Sequence, residues 1–542
     1  MTISLAYLHL HPPFHWPLTM FLIAALSVPN AAGAELSALE AKGKQLYFHG
    51  TLLIGSEPKA LIGEESTSVP ASIVPCAGCH GEDGAGRPEG AVVPPDVTWR
   101  FLTKPYGHKH PNARMHPAFT EKSLGAAIQQ GIDPAGNKLD SVMPRYAFSV
   151  YQLAAIIAYL KRIETDQAPG VSEDSIRVGT ILPLKGAMAD IGEGMRSVLV
   201  AYFNEVNRQG GIYSRKLKLQ VVEAGETPDL TLAKANRMIE GQQIFALVGA
   251  VVSGVDKEMA ALVEQGMVPL VGPMTLFPQD GPMPNRYSFY LFSGIKVQMR
   301  TLVDYVALNL GLDHPQAAVV YPENGLLPET LAALEQQGKM YQWASPTRVG
   351  YSPGRFEASA TIGSLKERGV SLVFFLGGDL EFKDFLVAAE TAAWHPYVLL
   401  PGSAVQNDIL LASADLASKV FLAFPTLPAD LSREGIAAFN ALREKYEFPR
   451  HHFATQVTAY CSAQLLVQGL KLAGRQLSRR KLISALESLY DFETGLTPRL
   501  SFGPNRHIGA PGAYVVTIDP ASRRFKAASN WIIPREFRST SD

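Results

Sequence analysis

A chain of 542 residues is too long for a single hydrophobic core, so two or three domains are expected. Apolar residues make up 47% and charged residues 18%, the proportions of ordinary globular, soluble material. A formal net charge of -1 leaves no electrostatic footprint for nucleic acid, no long Lys/Arg run offers a polybasic membrane patch, and three cysteines are too few for a disulfide framework.

In chain order, the first element is a short apolar stretch over residues 18–28, in the run PLTMFLIAALSV. It is too short to span a bilayer, and Ala32-Gly33-Ala34 follows with the small-x-small pattern of a signal-peptidase site. A cleaved secretory signal over residues 1–34, with a mature start near Glu35, is the expectation, and it places the protein in the periplasm. The segment before the apolar run carries His9, His11 and His15 but no Lys or Arg, which leaves an uncleaved N-terminal anchor as the alternative.

Cys76, Cys79 and His80 then fall in PCAGCH, residues 75–80. Two thiols at this spacing can each add across a haem vinyl group while the next residue presents an imidazole to the iron. A thioredoxin-like dithiol would expect a strand-to-helix setting and no ligand His. A zinc site would want a second Cys or His pair, and none lies at suitable spacing. A plain disulfide between Cys76 and Cys79 is the third alternative. The expected cofactor is one covalent haem c.

The surroundings resemble a class I cytochrome c domain over residues 38–163, which sets the domain at 35–163. AKGKQLYFHG (41–50) is similar to that family's first helix, CHGEDGAGRPEGAVVPPDVTW (79–99) to the loop after its haem motif, and residues 123–163 to its distal half. The resemblance implies that the carbonyl of Pro94 or Pro95 holds the second nitrogen of His80, fixing the ring. It also implies that Met143, followed by Pro144, is the sixth iron ligand. Met115, with His108, His110 and His116 around it, is the competitor, and that cluster is expected to be a solvated loop. Leu153, Ala154, Ile157 and Leu160 recur at helical spacing and are expected to pack a closing helix. Residues 50–75 are longer than a minimal cytochrome needs, and the pattern assigns them no role.

ETDQAPGVSED (164–174) reads as a linker, after which β-branched runs alternate with amphipathic segments. RVGTILP, KLKLQVVEA, IFALVGA, AAVVYP, SLVFFLG, YVLLPG and KVFLAF are the expected strands, with helices near 192–208 and 228–240 among those between. Strand–helix alternation over some 360 residues implies two parallel-sheet lobes. PLKGAMADIG, NEVNRQGG, EAGETPD, LVGAVVSG and VPLVGP, in that order, resemble a type I periplasmic substrate-binding protein of the branched-chain amino acid branch. The implied architecture is a small all-α cytochrome c domain, then a two-lobed α/β binding domain over 175–536, with a tail at 537–542.

That resemblance implies solute-holding positions at Ser253 and Thr275, with Ile191, Leu326 and Leu376 in place of the aromatics of amino-acid binders. Ser253 could also cap a helix at 254–265. The acidic partner of an α-amino group would fall near Gln406 and Asp408. Without that charge an ammonium group would be costly to bury, so a small carboxylate, alcohol or aromatic acid is expected rather than a standard amino acid. Cys461 reads as a buried small hydrophobe. No nucleophile–base arrangement, metal-ligand His pair or Gly-rich phosphate loop stands out in the large domain. The expected function is solute binding joined to electron transfer with a periplasmic partner and no catalysis of its own. The alternatives are a receptor for an ABC permease with an accessory cytochrome, and, third, a catalytic haem with a vacant iron position.

Overall fold

The computed structural model describes residues 36–535 except 53–56, 87–91, 111–112, 167, 242–243, 280–284, 324–326 and 403–412. The expected signal segment, Leu326, Gln406 and Asp408 lie outside the described residues. No helix among the described residues is long and apolar enough to cross a membrane.

The first domain runs α1 (Ala38–His49), β1 (Lys59–Ile62), β2 (Thr67–Pro70), α2 (Cys76–His80), α3 (Trp99–Leu102), β3 (His108–Lys109), β4 (Met115–His116), α4 (Glu121–Gln130), β5 (Arg145–Tyr146) and α5 (Val150–Leu160). Reciprocal capping boxes start α1 at Ser37/Glu40 and α5 at Ser149/Gln152, satisfying amide groups that a helix start leaves open. The two helices cross at Gly43, where a Cβ would stand 1.9 Å from the carbonyl oxygen of Ala155. Gly43→Ala is therefore expected to force the helices apart and cost about 1–3 kcal/mol or more, read by denaturant unfolding of this domain. Leu46, Tyr47, Ile156, Tyr159 and Leu160 form its core. The face of α5 differs from the expected stripe. Ile157 and Leu160 are buried, but Ala154 is exposed, and Ala155, Ile156 and Tyr159 turn inward instead.

The helical frame also carries two small sheets that the reading of an all-α domain did not include. The segment of unassigned role folds into the β1–β2 hairpin, and β1 pairs antiparallel with β5. Strands β3 and β4 make a second, two-stranded pair.

The large domain has its first strand at Ser175. Its elements are β6 (Ser175–Leu182), α6 (Ala189–Arg208), β7 (Lys216–Glu223), α7 (Pro228–Glu240), β8 (Ala246–Val248), α8 (Asp256–Gln265), β9 (Leu270–Val271) and β10 (Ser288–Phe292), then α9 (Ile295–Tyr305), β11 (Ala317–Pro322), α10 (Pro328–Lys339), β12 (Thr347–Tyr351), α11 (Ala358–Glu367), β13 (Leu372–Phe375), α12 (Asp379–Thr391), β14 (Tyr397–Pro401), α13 (Ala414–Ala417) and β15 (Val420–Phe424). The chain closes with α14 (Arg433–Lys445), α15 (Phe453–Ala473), α16 (Arg479–Glu487), β16 (Ile508–Ala510), β17 (Tyr514–Asp519) and β18 (Arg524–Ala527).

Lobe 1 is an all-parallel sheet in the order β16-β10-β9-β8-β6-β7. Lobe 2 runs β12-β11-β13-β14-β15-β17-β18, parallel except for its last two strands. Buried strand runs such as Phe374-Phe375 and Leu399-Leu400 match sheets covered on both faces. The chain passes between lobes three times, after β10, β15 and β16. The crossings are tied together: Ser293 Oγ donates to the Gly512 carbonyl at 2.7 Å, and the Tyr514 hydroxyl donates to Asp430 at 2.6 Å. Three tied crossings define a hinge.

The first domain docks on lobe 1. Asp83, three residues past His80, pairs with Arg480 at 2.6 Å and Lys481 at 3.8 Å. Neighbouring Arg479 donates to the carbonyls of Ile244, Phe245 and Gly266, and burial pushes its guanidinium down to about 10.

Candidate haem site and solute cleft

The haem motif occupies α2, a single short helix entered from Pro75 and left at Gly81. Cys76 and Cys79, three apart, share a face of that helix, and His80 follows at its end. Cys76 is half-buried, Cys79 is exposed, and neither is in a disulfide. His80 Nδ1 lies 2.9 Å from the Pro95 carbonyl oxygen. That contact makes Nδ1 the donor and leaves Nε2 with a free lone pair. Burial lowers the His80 imidazole's affinity for a proton, with the Pro95 carbonyl and Asp96 opposing.

Of the two prolines expected to serve, Pro95 makes the contact, while the Pro94 carbonyl packs against Gly86. At Gly86, which has a positive φ of 85°, a Cβ would stand 2.1 Å from the Pro94 carbonyl oxygen. Gly86 also donates to the His80 carbonyl at 2.8 Å. Only glycine lets the loop fold back this closely. The residue was not singled out from the sequence, although Gly84 and Gly86 in EDGAG were a visible sign of a tight loop.

The residues fit a covalent haem. Two unpaired thiols and one oriented imidazole share one helix, and the flanking segments leave apolar side chains uncovered, with Ile73 66% and Val93 67% exposed. A macrocycle seated on the motif would cover such groups.

Met143, the expected sixth ligand, is half-buried in a turn where its amide donates to the Asp140 carbonyl at 3.2 Å. Met115 sits in β4 with 62% of its surface exposed, and its carbonyl accepts from Asn137 at 3.0 Å. The histidines near it are not solvated, as was expected, but packed. His108 and His116 are buried, with ring centroids 4.9 Å apart, and His110 Nε2 lies 2.9 Å from His116 Nε2. Arg114 reaches His110 and Asp133.

Burial, reinforced by Arg114, His116 and His108, pushes the His110 imidazole down to about 4, against some 6.5 when unfolded. Between these values the unfolded chain holds the proton and the folded one does not. Stability therefore falls as pH drops from about 6.5 to about 4. His110→Gln is expected to flatten that part of the acid limb when unfolding of the first domain is followed against pH.

In the large domain, Ser253 and Thr275 stand on neighbouring loops at the carboxyl ends of β8 and β9, joined by a bridge between Val251 and Met274. Ligands in open α/β sheets sit at such ends. The two hydroxyls differ in commitment. Ser253 is exposed and is not a helix cap, since α8 starts at Asp256 with Val255 before it. Thr275 Oγ1 donates to buried Asp256, which also accepts from the Gly254 amide at 2.8 Å. Burial raises the Asp256 carboxyl, opposed by Thr275 and Gly254. Ile191 is half-buried on α6 against the lobe 1 core, and Leu376 is buried in the lobe 2 core. Cys461 is fully buried in α15.

One cluster the sequence did not disclose joins Asp190, at the start of α6, with His451 and His452, just before α15. Their ligand atoms all lie within 4.8 Å of one another and all three residues are exposed. Two helix N-termini meet there, and their positive ends oppose a cation.

Comparison with known proteins agrees with this geometry. Residues 175–524 match the family model for periplasmic binding proteins, and residues 73–164 match the model for cytochrome c. The chain belongs to the periplasmic binding protein family and carries a cytochrome c domain ahead of its binding domain. Haem c is the group that such a domain takes, and export is what the binding-protein family implies.

Leu/Ile/Val-binding protein homolog 3 of Brucella melitensis is 24% identical over 328 residues, 59% of this chain and 85% of that protein. The leucine-, isoleucine-, valine-, threonine-, and alanine-binding protein of Pseudomonas aeruginosa is 24% identical over 343 residues, 60% of this chain and 85% of that one. A branched chain amino acid ABC transporter structure from Thermus thermophilus with bound valine superposes with a TM-score of 0.57 at 14% identity, covering 67% of this chain and 98% of that one. A fatty acid ABC transporter substrate-binding protein from Thermomonospora curvata gives 0.55 at 17%, covering 68% and 95%. At such identities the structures establish the fold.

Proposed function

We propose that this protein is an exported electron carrier with one covalent haem, whose large domain closes its two lobes on a small solute. The observation that carries the reading is the contact from His80 Nδ1 to the Pro95 carbonyl at 2.9 Å, on the helix that also bears both thiols. It holds the imidazole in the tautomer an iron ligand needs. Haem supplies one reversible electron when bound. Cys76 and Cys79 would anchor it, and His80 and Met143 would ligate its iron. Two protein ligands on the iron would leave no position for oxygen, which supports transfer rather than catalysis. The electron partner is a periplasmic dehydrogenase or cytochrome.

The mass of the periplasmically produced protein tests this, first denatured and then native. One haem above the chain cut after Ala34 supports export, processing and attachment together. A denatured mass without haem, from a host competent in cytochrome maturation, overturns the reading.

The solute we infer is uncharged, an alcohol or a similar small molecule. A helix N-terminus at a strand end is a place for an anion, and here Asp256 fills it with the protein's own carboxylate. A solute carboxylate brought there would meet like charge. Calorimetry with short alcohols and with leucine or valine separates the cases. Asp256→Asn is expected to relax the exclusion and raise affinity for carboxylates about tenfold or more, the scale of one charge contact. Tight binding of leucine or valine by the unaltered protein would sink the inference.

A receptor role for an ABC permease is the second reading, favoured by likeness to Leu/Ile/Val-binding proteins over 85% of their length. Copurification with a permease, together with no electron exchange with any periplasmic dehydrogenase, would move the balance to it.

A further inference from the structure

Resting on the reading of Met143 as an iron ligand, we propose that the β1–β2 hairpin is a strap that fixes the Met143 loop, with Arg145 and Tyr146 as positioning residues. The hairpin occupies the stretch that makes this domain longer than a minimal cytochrome, and its pairing partner is the two-residue strand that begins two residues after Met143. In register, Ala60 faces Tyr146 and Leu61 faces Arg145, and the Ala147 amide donates to the Lys59 carbonyl at 2.8 Å. Neighbouring residues in a strand are ~3.3 Å apart, so a ladder this close leaves the Met143 backbone little travel.

Arg145 holds the same loop from within. Its guanidinium donates to the carbonyls of Met143, Leu139 and Asp140, the last two at 2.9 and 3.0 Å. One charged fork thus gathers the whole turn that carries the thioether. Asp140 offers its partial compensation, and burial lowers the arginine's proton affinity.

Tyr146 carries the connection to the haem motif. Its hydroxyl donates to the Val74 carbonyl at 2.5 Å and also meets the Cys76 thiol. The hairpin's other end is moored beside that motif. The Ala71 amide donates to the Pro58 carbonyl at 2.9 Å, and the Ser72 hydroxyl to Glu57 at 2.6 Å. The loop after the distal ligand and the segment before the haem thiols are therefore one hydrogen-bonded unit. A loop already ordered pays little entropy when its side chain ligates, and this resists displacement by outside ligands.

The test uses the full-length haem-loaded protein. Arg145→Lys, Arg145→Ala, Tyr146→Phe and a variant with residues 58–70 replaced by Gly-Gly are compared by haem mass and by the long-wavelength band of ferric thioether-ligated haem. Ferric affinity for imidazole is the third readout. Arg145→Ala is expected to keep its haem, weaken the band and raise imidazole affinity about tenfold or more, as for loss of a charge-assisted hydrogen bond. Arg145→Lys is expected to restore part of this. If the shortened hairpin fails to fold, the three point variants decide.

Arg145→Ala and Tyr146→Phe proteins with unaltered band and imidazole affinity would overturn the strap. Met143→Ala is the control. If it opens the iron while the strap variants do not, only the strap fails. If it changes neither readout, the assignment of Met143 itself fails.

Discussion

A chain in which Cys76 and Cys79 are both replaced by Ser is expected to leave the periplasm without haem and with its first domain unfolded. The thiolates make the covalent bonds, and serine hydroxyls do not add to vinyl groups under these conditions. The structural loss follows from lost apolar cover. The domain's buried cluster draws on α1, α3, α4, α5, β5 and the hairpin, centred on Leu46, Tyr47, Ile156 and Tyr159, while the segments beside the motif keep Ile73 and Val93 uncovered. Without haem those side chains have nothing apolar to pack against. Denatured mass and tyrosine fluorescence read the two effects. The large domain, with its own cores in both lobes, is expected to stay folded in the same sample. A haem-loaded double mutant would sink the assignment of the attachment site.

Met143→Ala carries the second large effect, on the iron rather than the fold. A thioether favours the ferrous state, and its loss leaves water or a nearby base in its place. The reduction potential is expected to fall by a sizeable part of the ~0.8 V over which axial ligands tune haem iron. The ferric thioether band should vanish, while covalent haem and the His80–Pro95 contact stay. The side chain is half-buried, so the domain's stability should change little by comparison. Potentiometric titration reads this directly, and an unchanged potential would return Met115 and the three histidines to consideration.

Much of this was legible in the sequence because it rests on local chemistry. The spacing of Cys76, Cys79 and His80, the Pro94-Pro95 pair and the alternating strands and helices each declare themselves within a few residues. What stayed hidden depends on distant partners. Residues 50–75 have no strong period, and the β1–β2 hairpin they form is held to the domain by β5, some 85 residues later. His108, His110 and His116 read as a polar loop, since nothing nearby shows that Phe101 and Phe119 pack on their rings. Ser253 looked like a helix cap because serine favours that place, but α8 starts three residues later. Asp256 and Thr275 are nineteen residues apart, so their pairing needed the fold. Asp190 and His451 lie farther apart still.

The docking of the haem domain has a mechanical consequence. Asp83 grips Arg480 and Lys481, all the described mooring points belong to lobe 1, and the hinge lies beyond them. If the lobes close as proposed, lobe 2 is the swinging jaw, and the haem motif is bolted to the fixed one. A partner that clasps lobe 1 would find the iron at one constant distance whether the jaw stands open or shut. Tunnelling between redox centres depends steeply on distance, so in the proposed electron carrier the route would keep its speed through a solute cycle. A second partner could then read the jaw on the far side without disturbing the wire.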